Sequence, residues 1–151
     1  MKPLVCEAFW SSQPSRAENW LAWIPLLGWA GSAALERARF RPMVRSLEQQ
    51  LRARPDTAGL WGSDPRRQEV ATAIRVILKE ELGWPNDHFI SADPFGLVFW
   101  AHEDGLDGVS AANRIEQQLG VRLRESEWER LWRHGTLGEF VDQLVTPEQS
   151  G

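Results

Sequence analysis

Between Asp64 and Pro147 the chain carries a succession of apolar stripes at helical spacing, each bracketed by its own start and stop signals, and this narrows the available folds most. Asp64 precedes Pro65, an N-cap followed by a residue whose missing N–H costs nothing in a first helical turn. Val70, Ile74, Ile77 and Leu78 give that helix one apolar face, and Gly83 with Pro85 stops it. Asp104, with Asp107 three residues on, opens a second helix along which Leu106, Val109, Ala112, Ile115 and Leu119 recur at intervals of three and four; Gly120 ends it. Ser126 with Glu129 predicts the start of a short third helix bearing Trp128, Leu131 and Trp132. Thr136 with Glu139 opens a fourth, with Leu137, Phe140, Val141, Leu144 and Val145 inward and Pro147 just beyond. The expectation is an all-α bundle of four helices over residues 63–148.

The first connection, from Trp84 to Glu103, is long and unusually apolar. Loops of about twenty residues without structure of their own are uncommon in compact domains. Phe89, Ile90, Phe95, Leu97, Val98, Phe99 and Trp100 are therefore expected to pack on the helices, with a short helical turn after Asp93-Pro94.

The order of these elements resembles acyl carrier proteins. Asp104-Gly105-Leu106-Asp107-Gly108-Val109 resembles the family's D-S-L-D-x-V, and Ile115-Glu116-Gln117-Gln118-Leu119-Gly120-Val121 resembles its E-E-x-F-G-I turn out of the second helix. The match runs from Pro65 to Val145, and its weight lies in the order and spacing of the motifs. In that family the serine of D-S-L carries 4′-phosphopantetheine as a phosphodiester. Gly105 stands at that position and has no hydroxyl, so the resemblance implies a carrier fold without its attachment point and without a cofactor. The nearest hydroxyl, Ser110, lies more than one turn inside the second helix. The family docks basic enzyme surfaces through an acidic second helix, which marks Asp104, Asp107, Val109 and Glu116 as partner-docking positions, with Arg114 diluting the acidic character. Arg133-His134-Gly135 is expected to lengthen a connection that is usually tight.

The first 62 residues read differently, as a helical, Trp-rich extension. Asn19 to Leu35 holds no charge, and the chain then turns basic at Arg37, Arg39, Arg41 and Arg45. A bilayer span needs about 20 apolar residues, and Pro25, Gly28, Gly31 and Ser32 weaken this run. Three readings stay open: a buried or partner-docking helix pair broken near Pro25, an interfacial anchor through Trp20, Trp23 and Trp29 with Arg37, Arg39 and Arg41 meeting anionic lipid, and a single span with the remainder in the cytoplasm. Ala33 to about Arg54 suits a helix with Leu35, Ala38, Met43, Val44, Leu47 and Leu51 on one side, interrupted at Pro42; Arg54 to Pro65 reads as a linker.

Charge divides along the same line. Residues 1–64 carry eight Lys/Arg against six Asp/Glu, and residues 65–151 nine against fifteen, a balance of −6 that disfavours nucleic acid and favours a protein partner with a basic docking surface. Cys6 is the single cysteine, so no internal disulfide can form, and nothing at the N-terminus resembles a cleaved leader. These features suggest a cytoplasmic protein, peripheral to the inner face of the membrane if residues 19–45 touch lipid.

Catalytic motifs are missing. His88, His102 and His134 have no metal-ligand spacing, no phosphate-binding glycine loop occurs, Cys6 lies apart from any histidine pair, and Glu80-Glu81 are expected to point apart on their helix. The reading is a non-enzymatic, acyl-carrier-like interaction or assembly module, with two alternatives: an acyl carrier using another attachment residue, and a membrane-associated subunit of a larger complex.

Overall fold

The computed structural model describes residues 1–6, 41–100, 106–122 and 124–146, less the side chains at positions 100, 106, 107 and 125. All regular structure among them is helical. Helix α1 covers 41–52 of the described chain. A single 3-10 turn at Ala58–Leu60 follows, then α2 (Pro65–Leu82), α3 (Phe95–Trp100), α4 (Leu106–Leu119), α5 (Glu125–His134) and α6 (Leu137–Val145).

Helix α2 forms where its end signals predict. The Asp64 carboxylate accepts the Arg66 N–H at 3.1 Å, and Gly83 stops the helix in the left-handed region at φ +66°. Val70, Ile74, Ile77 and Leu78 are buried together with Ala71 and Leu82. Complete burial of one such aliphatic side chain is worth about 1.5–3 kcal/mol, so this face alone holds α2 between α4 and α6, its main helical neighbours. At α6 both halves of the expected capping box are made: Thr136 N–H donates to Glu139, and Glu139 N–H donates to the Thr136 hydroxyl.

The long connection packs as expected. Phe89, Ile90, Phe95, Leu97, Val98 and Phe99 are buried, and α3 begins directly after Asp93-Pro94. Its backbone is tied to the α5–α6 junction: Asp93 O accepts from Leu137 N–H at 2.9 Å, Ser91 O from Gly138 N–H at 2.8 Å, and Gly135 O from Phe95 N–H at 2.9 Å.

Some expectations are corrected. Helix α5 starts at Glu125, ahead of Ser126, because Glu127 rather than Glu129 folds back to accept the Arg124 N–H at 3.1 Å. Arg133 and His134 continue α5, so only Gly135 and Thr136 separate it from α6 and that connection is tight. The interruption expected at Pro42 turns on residues 33–40, which lie outside the described residues; from 41 to 52 the helix runs without a break.

The segment read as a linker is mostly exposed but pinned to the core at three points, Arg54, Thr57 and Trp61. Trp61 and Thr57 are buried, and the Thr57 hydroxyl donates to Phe89 O at 2.8 Å. Leu4, Met43, Leu47, Leu51 and Trp61 belong to the same apolar cluster as Val70, Ile74, Phe89 and Phe140. Packing therefore crosses the 62/63 boundary drawn from sequence.

Arg54 and Asp93 fasten this junction from inside. The guanidinium forks onto the carboxylate at 2.7 and 2.8 Å, with Arg54 8% and Asp93 0% exposed. Asp93 also accepts the N–H groups of Leu4 at 2.8 Å and Ile90 at 2.9 Å, while Arg54 donates to Lys2 O and His88 O. With the carboxylate receiving four donors, the desolvation that makes buried charges costly is met by hydrogen bonds. The N-terminal hexapeptide, the end of α1 and the long connection are held at one point.

Candidate functional site

The described residues form an apolar groove of about 290 Å³, lined by Phe99 of α3, Gly108, Val109, Ala112, Asn113 and Glu116 of α4, and Trp128 and Trp132 of α5. Phe99, Trp128 and Trp132 of its lining join an aromatic cluster with Phe95 behind them, the Phe95 and Phe99 ring centroids lying 4.4 Å apart. Trp128 sits 5.2 Å from Phe95 and 5.8 Å from Phe140, and Trp132 meets Phe95 edge-on at 6.4 Å. These offset and edge-to-face pairings are the favourable ones for aromatic quadrupoles.

Two glycines set the groove's dimensions. A Cβ on Gly96 would stand 2.3 Å from the Trp132 carbonyl oxygen, so α3 lies against the α5 backbone only because that position lacks a side chain. A Cβ on Gly108 would meet the Phe99 carbonyl oxygen at 3.1 Å, which brings α4 close beside α3. The walls are thus fixed by backbone contact, and the opening is left to side chains.

Helix α4 is rotated relative to its predicted apolar stripe. Ala111 and Ile115 are buried, Leu119 packs partly on the core, and Val109, which lines the groove, is 58% exposed, as Trp132 of α5 is 38% exposed. Ala112 and Glu116 follow Val109 along the same flank. An exposed valine on α4 and an exposed tryptophan on α5 both line the groove and give it apolar surface open to solvent, with Glu116 contributing acidic character.

The flank of α4 facing α2 is closed by ion pairs. Arg114 reaches Glu80 at 2.7 Å and Glu81 at 2.5 Å, and the Ser110 hydroxyl donates to Glu81 at 3.0 Å. Glu80 and Glu81, expected to point apart, converge on one guanidinium because α4 lies against the end of α2. The Arg114 hydrogen bond, and then that of Ser110, hold the Glu81 carboxyl below its ordinary range; Glu81, followed by Glu80, raises Arg114. Arg114 is therefore spent on α2 instead of diluting the acidic character of α4. Asp56 is also lowered, chiefly by the Ala58 backbone N–H.

Of the sequence-predicted positions, Val109 and Glu116 come together on the groove. Asp104 and Gly105 lie outside the described residues, as do Trp20, Trp23, Trp29, Arg37 and Arg39. Leu106 and Asp107 form the first helical positions of α4, without described side chains. Arg41 is exposed on α1. His88 packs with its Nδ1 2.8 Å from Arg54 O, and no His/Cys/Asp/Glu group among the described residues is arranged to hold a metal ion.

Sequence reasoning missed Phe99, Ala112, Asn113 and the two tryptophans as groove residues. The available signal was Trp128 with Trp132, one turn apart on a ten-residue helix otherwise rich in Glu and Arg, more aromatic surface than such a helix can bury. No helix of the described residues is long and apolar enough to cross a membrane. No protein-family profile, curated protein or solved structure matches this chain.

Proposed function

We propose that this chain is a non-catalytic, acyl-carrier-like helical module, lacking the phosphopantetheine serine at Gly105, that works by docking a protein partner on α4 and α5. The observation that carries the reading is the apolar groove lined by the exposed Val109 of α4 and the exposed Trp132 of α5. Its volume of about 290 Å³ lies at or below the lower end of the ~300–1,000 Å³ usual for small-molecule sites, and suits one or two inserted side chains better than a cofactor. Tryptophan beside a concave apolar surface is also the composition favoured at the energetic centre of protein interfaces. The order of helix, long packed connection, helix, short helix and helix supports the carrier-like reading, and the acidic balance of residues 65–151 suits a partner with a basic surface.

Two measurements on the full chain test this. Intact mass after incubation with a broad-specificity phosphopantetheinyl transferase and coenzyme A is expected to stay unchanged; gain of one prosthetic group overturns the degenerate-site reading. Partner recovery by native co-purification is expected to fall at least tenfold for Val109→Asp and Trp132→Ala, substitutions at exposed positions. Equal recovery by both variants would remove the groove from the interface.

A further inference from the structure

Helix α1 divides cleanly into two faces. Met43, Leu47 and Leu51, spaced by four, are buried in the core. Arg41, Arg45 and Arg52 are exposed and, at 3.6 residues per turn, fall within about 40° of one another on the side opposite that buried row. Over 11 residues at ~1.5 Å each, they form a line about 16 Å long. Arg41 is also engaged within the chain, and Arg52 lies 4.0 Å from Glu48, a loose pair at a largely exposed side chain. Arg45 stands between them.

We infer that this arginine row is a docking surface for anionic lipid headgroups. Two observations beyond the charge favour lipid over another occupant. The helix is anchored by its apolar row, so the arginines are presented on a fixed line instead of having to be ordered at the surface. Upstream in the same chain, Asn19 to Leu35 runs without a charge and contains Trp20, Trp23 and Trp29, the residue type that favours the headgroup boundary. A basic row adds electrostatic attraction to whatever apolar contact this uncharged segment makes, and stable peripheral binding takes two such signals where one alone is weak.

The chain's net charge of −4 does not oppose this. At ~0.1 M salt, screening limits attraction and repulsion to charges within about 10 Å of the headgroups, so the local sign of the row decides. The surface is separate from the groove between α3, α4 and α5, and the inference stands independently of the groove's function.

Sedimentation of the full chain with vesicles tests it, using phosphatidylcholine alone and phosphatidylcholine with about one quarter phosphatidylglycerol. Binding is expected to the anionic vesicles only, and to weaken as salt rises. A Kd roughly thirtyfold weaker is expected for Arg45→Gln/Arg52→Gln, at about fivefold per arginine. Both side chains are exposed, so an unchanged melting curve of the double variant verifies that only the surface was altered. Equal binding by variant and parent, or equal binding to both vesicle types, overturns the inference. So does salt-sensitive self-association without vesicle binding, which would assign the row to the acidic surface of a second copy.

Discussion

A single carboxylate, Asp93, joins parts of the chain that sequence proximity keeps apart. It receives two bonds from Arg54 and the N–H groups of Leu4 and Ile90. Asp93→Ala would leave the Arg54 guanidinium buried without its partner, and a loss of about 3–5 kcal/mol is expected in chemical denaturation. Replacing both residues with leucine removes the stranded charge, so the double variant is expected to lose less than Asp93→Ala. If it loses more, the pair contributes net stability beyond relieving its own burial. At the groove, Gly96→Ala forces a methyl toward a backbone carbonyl at 2.3 Å, and about 1–3 kcal/mol of destabilisation is expected, read as a lowered Tm.

The elements owe their limits to local chemistry and their orientation to neighbours. Thr136→Ala removes the hydroxyl that accepts the Glu139 N–H and should cost about 1 kcal/mol, measurable as a shift in the urea midpoint at constant slope. The contact between α2 and α4 should be sensitive to acid. Glu81 has its carboxyl pKa lowered by Arg114 and Ser110, so its contribution is present above the ordinary carboxylate range and is lost as pH falls through the depressed folded value. Glu81→Gln should therefore be less stable than the parent at neutral pH, with the Tm difference shrinking toward pH 3; a constant difference would exclude this linkage. Capping residues and apolar spacing made α2 and α6 legible from sequence, because those signals act within one turn. The start of α5 was misread because Ser126-Glu129 and Arg124-Glu127 overlap, and spacing alone does not say which glutamate folds back. The rotation of α4 was also hidden: Val109 and Ala111 are both apolar, and it is the packing of α4 on α2, its main helical neighbour, that selects which is covered.

For the whole molecule, the decisive feature is that the core crosses the sequence boundary near Ser63. Leu4, Met43, Leu47, Leu51 and Trp61 fill the cluster built by α2, α3 and α6, and Arg54 supplies the partner of Asp93. A chain beginning at Ser63 is expected to lose cooperative unfolding, seen by circular dichroism and near-ultraviolet spectra; a sharp transition at the parent Tm would show that residues 63–148 fold alone. Sequence by itself determined the all-helical class, the packed first connection, the placement of α2, α3 and α6, and the charge imbalance, since each follows from propensity, capping or composition along a short stretch. Only the tertiary structure decided that the linker is pinned to the core through Arg54, Thr57 and Trp61, that Glu80 and Glu81 converge on Arg114, and that Val109 and Trp132 share a groove. Each of those depends on which residues distant in sequence come within a few ångströms, a distance that local pattern does not encode.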